Sequence, residues 1–185
     1  FHVYPASKSY SIATVGCNFR CTFCQNHDIS QMPRETRMIG GEEFLPAETV
    51  VRAKQSGAKT IAYTYTEPTI YFETAYDTAE IAAENGLTNV FVTNGFMTAE
   101  AIDTIAPYLA AANVDLKSFR DEFYKKHCGA RLDPVLESLK KMKEKGIWVE
   151  ITTLLIPTLN DSEEELKDIA GFIAGLGTET PWHIS

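Results

Sequence analysis

The chain has 185 residues, 44% of them apolar and 23% charged, enough to bury a core as one folded unit. Seventeen Lys and Arg against 25 Asp and Glu give a net charge of −8 with no basic stripe, which argues against nucleic acid or anionic membranes as partners. No apolar run approaches the roughly 18 residues of a membrane span. The opening Phe1-His2-Val3-Tyr4-Pro5 has no initiator Met and no signal pattern. We therefore expect a cytoplasmic protein in which 1–185 form one domain, entered part-way along a longer chain.

In chain order, short β-branched runs alternate with amphipathic segments. Strands are predicted at 11–15, 60–65, 88–93, 112–117, 147–155 and 182–185, and helices near 46–56, 69–85, 98–107, 132–145 and 162–176. Pro46 sits as a first-turn proline, and Gly57, Gly86, Gly146 and Gly177 follow helical stretches as C-caps. The acidic run 161–165 falls at a helix start, where carboxylates are favoured, so it carries no functional weight. Such alternation predicts βαβ units and a parallel sheet. A closed eight-unit barrel runs to about 250 residues, so six units mean an open barrel or a doubly wound sheet.

One connection breaks the pattern. Residues 25–45 show no clear period and contain Gly40-Gly41, whereas such loops usually run about 2–6 residues. Directly after a cysteine cluster, that length suggests a lid; a disordered excursion is the plainer alternative.

Three of the four cysteines, Cys17, Cys21 and Cys24, lie within eight residues just after the first predicted strand. In parallel α/β folds the active site forms at the C-terminal strand ends. The spacing suits a metal site in a reducing compartment better than a disulfide framework. Three thiolates on a short loop can hold one face of an iron–sulfur cluster. An open cluster keeps one iron for an outside ligand, and a closed one would need Cys128. Zinc held by Cys17, Cys21, Cys24 and His27 is a further reading of the same residues.

The C-x3-C-x-aromatic-C segment resembles the signature of radical S-adenosylmethionine (radical SAM) enzymes. Tyr63–Thr69, Thr93–Phe96, Asn113–Lys117, Ile156–Asp161 and Pro181–Ser185 follow an order similar to pyruvate formate-lyase activating enzymes, and closer still to the AmmeMemoRadiSam-type proteins. The resemblance implies an open (β/α)6 partial TIM barrel, a parallel sheet with helices outside. It implies a 4Fe–4S cluster on Cys17, Cys21 and Cys24, with S-adenosylmethionine on the fourth iron. Reductive cleavage would give a 5′-deoxyadenosyl radical that takes hydrogen from a substrate, a glycine of a partner enzyme in the activating enzymes. A flavodoxin- or ferredoxin-type protein would supply the electron.

The resemblance also assigns cofactor contacts. Phe23 falls near the adenine, and Gln25 follows the last cysteine. Thr66 and Glu67 occupy the place of a Gly-Gly-Glu segment that meets the methionine amine, with Tyr65 and Thr66 in place of the glycines. Asp115, Leu116 and Lys117 match a segment that contacts the cofactor, Lys117 suiting its carboxylate. Thr152, Leu154 and His183 match positions on the last two strands, and Asn94 sits in a turn beside the site. Plainer roles exist for each: a helix start at Thr66–Pro68, an exposed ion pair at Asp115–Lys117, core packing for Leu154, a structural histidine, an Asn-Gly turn. Cys128 reads as a remote ligand, a hydrogen-atom donor or a reduced thiol. An iron–sulfur electron carrier with Cys128 as fourth ligand, or a zinc-binding module, are the alternatives to an enzyme.

Overall fold

A computed structural model describes residues 2–185. The elements run β1 (Ser9–Ile12), α1 (His27–Thr36), α2 (Pro46–Gln55), β2 (Thr60–Tyr63), and a 3-10 turn (Pro68–Tyr71) leading into α3 (Phe72–Glu84). They continue with β3 (Thr88–Thr93), α4 (Ala99–Ile105), β4 (Leu109–Asp115), and α5 (Asp121–Phe123) passing into a π-helical stretch (Tyr124–Cys128). The chain closes with α6 (Asp133–Glu144), β5 (Trp148–Thr153), α7 (Glu163–Leu176) and β6 (Trp182–Ile184). All neighbouring strands pair in parallel in the order β1-β2-β3-β4-β5-β6. The sheet stays open, with β1 and β6 as its edges. This is the open six-unit arrangement that the resemblance implies.

Alternation along the strands separates two unlike faces. The face toward the helices carries Ile61, Tyr63, Phe91, Val114, Val149 and Ile151, all essentially buried. The opposite face carries Thr60, Ala62, Val90, Ala111, Asn113, Glu150 and Thr152. Closed barrels fill their interior with layers of bulky branched side chains. Small and polar residues here leave cavities instead of a packed lumen, one of about 290 Å³ at the C-terminal strand ends and one of about 350 Å³ below it.

Helix boundaries follow local chemistry. Pro46 opens α2, Thr98 accepts from the Ala101 N–H at 3.2 Å to cap α4, and Ser162 does the same for α7 from Glu165 N–H at 3.2 Å. The acidic run before α7 is not wholly a solvated helix start. Glu165 is buried and accepts from Ser118 Oγ at 2.6 Å and Phe119 N–H at 2.5 Å, which ties α7 to the segment after β4.

Two expectations are corrected. Strand β1 is 9–12 rather than 11–15, because its partner β2 stops opposite Ile12 and residues 13–15 peel away toward the cysteines. The stretch 25–45 is not one irregular loop, since its first half is α1. That helix fully buries only Ser30 and Gln31, its apolar Ile29, Met32 and Pro33 are half-buried, and Pro33 inside it reads as a helix breaker. No helix among the described residues is long and apolar enough to cross a membrane.

Candidate functional site

The segment after β1 turns at Gly16, whose N–H bonds to Ile29 O at 2.8 Å, and then carries the three cysteines over the strand ends. Two neighbours hold it. From α1, Gln31 Nε2 and Arg34 Nη1 both donate to Phe19 O, at 3.1 and 3.0 Å. From the π-helical stretch, the Cys128 and His127 carbonyls accept from Arg20 N–H and Thr22 N–H, each at 2.8 Å. The Phe19 ring is buried edge-on against Phe96 and Tyr124, with centroids 5.6 and 6.2 Å away. The sequence reading finds neither support, since α1 has a polar buried face and the π-helical stretch has too short a repeat to read. Such π insertions are frequent at functional sites.

The upper cavity lies beneath this loop, and every predicted site residue lines it except Leu116 and His183. Cys17, Cys21 and Cys24 form one wall, with Phe23 and Gln25 beside them. The opposite walls come from Thr66 and Glu67 after β2, Asn94 after β3, Asp115 and Lys117 at the end of β4, and Thr152 and Leu154 of the β5 strand end. Leu116 does not line the cavity, because alternation along the strand sets it opposite Asp115 and Lys117. It is fully buried on the helix side, between two residues that face the cavity. His183 pairs in register with Thr152 but does not line the cavity, and its Nε2 lies 2.7 Å from Glu150 Oε2.

Thiol neighbours differ. Cys17 is pushed up to about 11 by burial, against the Phe19 N–H that points at its sulfur from 3.4 Å. Asn94 Nδ2 reaches the same sulfur at 3.7 Å and Asn18 Oδ1 at 2.7 Å. Cys21 is lowered by a hydrogen bond with the Cys128 thiol and by the Lys117 ammonium, which together outweigh its burial. Cys24 Sγ lies 3.3 Å from Ser30 Oγ. Thiolate is the form that binds metal, so Lys117 and Cys128 both favour ligation at Cys21.

Burial by itself would push Lys117 toward the neutral amine, but Asp115 and the neighbouring Cys21 hold it above the ordinary lysine range. Its Nζ stands 3.0 Å from Asp115 Oδ2 and 5.9 Å from the Phe23 ring centroid. This is a cavity-facing cation, not a solvated ion pair. Glu67 is different. Its buried carboxylate accepts from Thr69 N–H and Oγ1, Thr93 Oγ1 and Asn94 N–H, at 2.6–3.1 Å. Burial raises its pKa against those four bonds, and they tie the end of β2 to the end of β3. Thr66 puts its hydroxyl on Thr14 O at 2.9 Å. Tyr65 adopts φ 65°, a left-handed conformation usual for glycine, so the backbone bends here without one. Thr152 Oγ1 donates to Asn113 Oδ1 at 2.9 Å across the floor. Gly95 has φ 73°, and a Cβ there would stand 2.7 Å from Val114 Cγ1, so the turn after Asn94 requires glycine.

The donor set fits a group larger than one ion. Zinc–thiolate bonds of about 2.3 Å would draw the sulfurs to roughly 3.8 Å apart. Among the described residues, no three ligand atoms at this loop lie within 4.8 Å of one another, and His27 turns instead to Glu35 at 3.0 Å. Cys128 is fully buried behind the cavity wall, where its thiol is hydrogen-bonded to Cys21 and does not line the cavity.

A family model described as the radical SAM superfamily matches residues 11–173. The chain belongs to the radical SAM superfamily. Membership implies a 4Fe–4S cluster and S-adenosylmethionine as the family's cofactors. An uncharacterized protein of Methanocaldococcus jannaschii is 47% identical over the whole chain, which spans 54% of that relative's length. The pyruvate formate-lyase-activating enzyme of Clostridium pasteurianum is 26% identical over 87% of the chain and 67% of its own length. In fold, the chain resembles Streptococcus suis SuiB bound to S-adenosylmethionine, with a TM-score of 0.70 and 17% identity. That match covers 95% of this chain and 38% of SuiB. The radical SAM chain thus spans about half the length of that curated relative and less of the solved structure.

Proposed function

We propose that this chain is the catalytic core of a longer radical SAM oxidoreductase, with the cluster on Cys17, Cys21 and Cys24 and S-adenosylmethionine in the upper cavity. The observation that carries the reading is the convergence of three cysteines, a buried lysine and an open 290 Å³ cavity at the C-terminal strand ends. When bound, the two cofactors supply one-electron cleavage of S-adenosylmethionine and a 5′-deoxyadenosyl radical that abstracts hydrogen.

The chain's own residues bind and orient. Lys117 presents a fixed cation to the methionine carboxylate, and Asp115 keeps it aimed. The Thr66 carbonyl serves the methionine amine, which Tyr65 permits by taking the left-handed bend. Phe23 and Leu154 offer apolar surface to the adenine. Gln25, Asn94 and Thr152 supply hydrogen bonds at the rim and floor, and Glu67 holds two strand ends in register.

For the substrate, the likeness to a pyruvate formate-lyase-activating enzyme supports a glycine in a partner protein, admitted through the gap between the β1 and β6 edges. A flavodoxin- or ferredoxin-type donor fits the need for one electron. The test is anaerobic reconstitution with iron and sulfide, then reduction with S-adenosylmethionine present and chromatography for 5′-deoxyadenosine. Its formation supports the reading; an intact cluster with no 5′-deoxyadenosine overturns it. Cys128→Ala separates the electron-carrier alternative, since we expect this variant to keep both cluster and cleavage.

A further inference from the structure

A second set of ligand-bearing side chains lies one layer below the cofactor cavity. Glu150 sits two residues before Thr152 on β5, so about 7 Å lower along the strand. Its Oε1 is 3.1 Å from His2 Nδ1, and its Oε2 is 2.7 Å from His183 Nε2. The ligand atoms of these three residues lie within 4.8 Å of one another, the one such group among the described residues. They come from three separate places: the N-terminal segment, β5, and the edge strand β6.

We propose that His2, Glu150 and His183 bind one divalent transition-metal ion of the zinc class, distinct from the cysteine site. Two imidazoles and a carboxylate are a donor set that zinc accepts, at about 2.0–2.2 Å per bond. Donors at that range around one ion stand roughly 3–3.5 Å apart, and one ligand atom from each of the three residues already lies within 4.8 Å of the others, so small side-chain shifts reach that spacing. The carboxylate is already oriented. Glu150 is buried, and its Oε1 accepts from the His2 backbone N–H at 2.9 Å and the Trp148 indole at 3.2 Å. Such outer donors fix a metal-binding carboxylate. The adjoining 350 Å³ cavity, lined by Glu150 and the segment from Val3 to Ser7, leaves room for a solvent ligand. The ion would fasten the N-terminal segment to the free edge of the sheet.

The test uses cluster-loaded protein, so the cysteines are occupied, stripped of loose metal and titrated with zinc chloride by calorimetry. We expect one equivalent to bind at about 1 µM or tighter, with cluster absorption unchanged and the melting temperature raised. His183→Ala and His2→Ala should each weaken binding at least tenfold, and Trp148→Phe, an outer partner, by about 10-fold. His2 is half exposed, so His2→Ala retains the fold even if His183→Ala does not. No binding by the wild-type chain, or equal binding by His2→Ala, overturns the proposal. Neither result depends on S-adenosylmethionine cleavage, so the radical SAM reading stands or falls separately.

Discussion

At the cysteine end of the sheet, the sulfurs meet their polar neighbours at 3.3–3.7 Å, and the surrounding side chains border an open cavity. One layer lower, Glu150 gathers His2, Trp148 and His183 at 2.7–3.2 Å. Both ends use inward-facing positions of the same strands, yet one is saturated with contacts and the other is not. A saturated polar network rigidifies and specifies a fold, while thiols are weak hydrogen-bonding groups whose contacts are easily exchanged for ligand bonds. The upper end is built to be completed from outside. The lower end already completes itself, and an ion there would replace existing bonds.

Substitutions can break this contrast. The largest effect is expected at Cys21→Ser, which removes a ligand and not merely an outer partner. Cluster iron and 5′-deoxyadenosine formation should fall beyond the roughly 10–100-fold typical of outer partners, with little change in the melting temperature of the metal-free chain. Phe91→Ala should act on both ends together, because Phe91 is fully buried on the helix side with its ring 5.1 Å from Tyr63. A loss of about 3–5 kcal/mol in denaturant unfolding is expected.

Lys117→Met sharpens the contrast within the upper end. It deletes a charged donor worth about 1.5–3 kcal/mol, so S-adenosylmethionine affinity, read by equilibrium binding, should drop about 10–100-fold while cluster content stays. The smallest effect is expected at the lower end and depends on pH. Burial would raise the Glu150 pKa, but the hydrogen bonds from His2, His183 and Trp148 outweigh it and hold the carboxyl at about 2, against 4.5 unperturbed. A depressed folded value stabilises above the unperturbed one, so this stabilisation is present above pH 4.5 and lost as pH falls toward 2. Thermal melts of the metal-free chain across that window should show a shallower acid decline for Glu150→Gln than for wild type.

The contrast also explains what a reader of the sequence can and cannot see. The outward strand residues are apolar at alternate positions, so the six strands and their parallel order are legible. So are the cysteines and the residues of each strand end, because they sit at punctuation points of a repeating unit. Leu116 and His183 stand off the cavity wall for local reasons. A motif of three consecutive residues cannot point all its side chains one way on a strand. A histidine matched by position says nothing of the buried Glu150 waiting one strand away. Helix α1 is hidden because the residues it fully buries are polar, and the π-helical stretch because its five residues are too few to show a period.

Helix α1 grips the cysteine loop through Gln31, Arg34 and Ser30, with almost no apolar seam beneath it. Lifting it would uncover groups that water can satisfy at once, so the opening costs little hydrophobic free energy and exposes no sticky surface. The helix is therefore expected to open at lower cost than the sheet. Its amides should exchange with deuterium ahead of those in the sheet in the metal-free chain, and slow once the three sulfurs are filled.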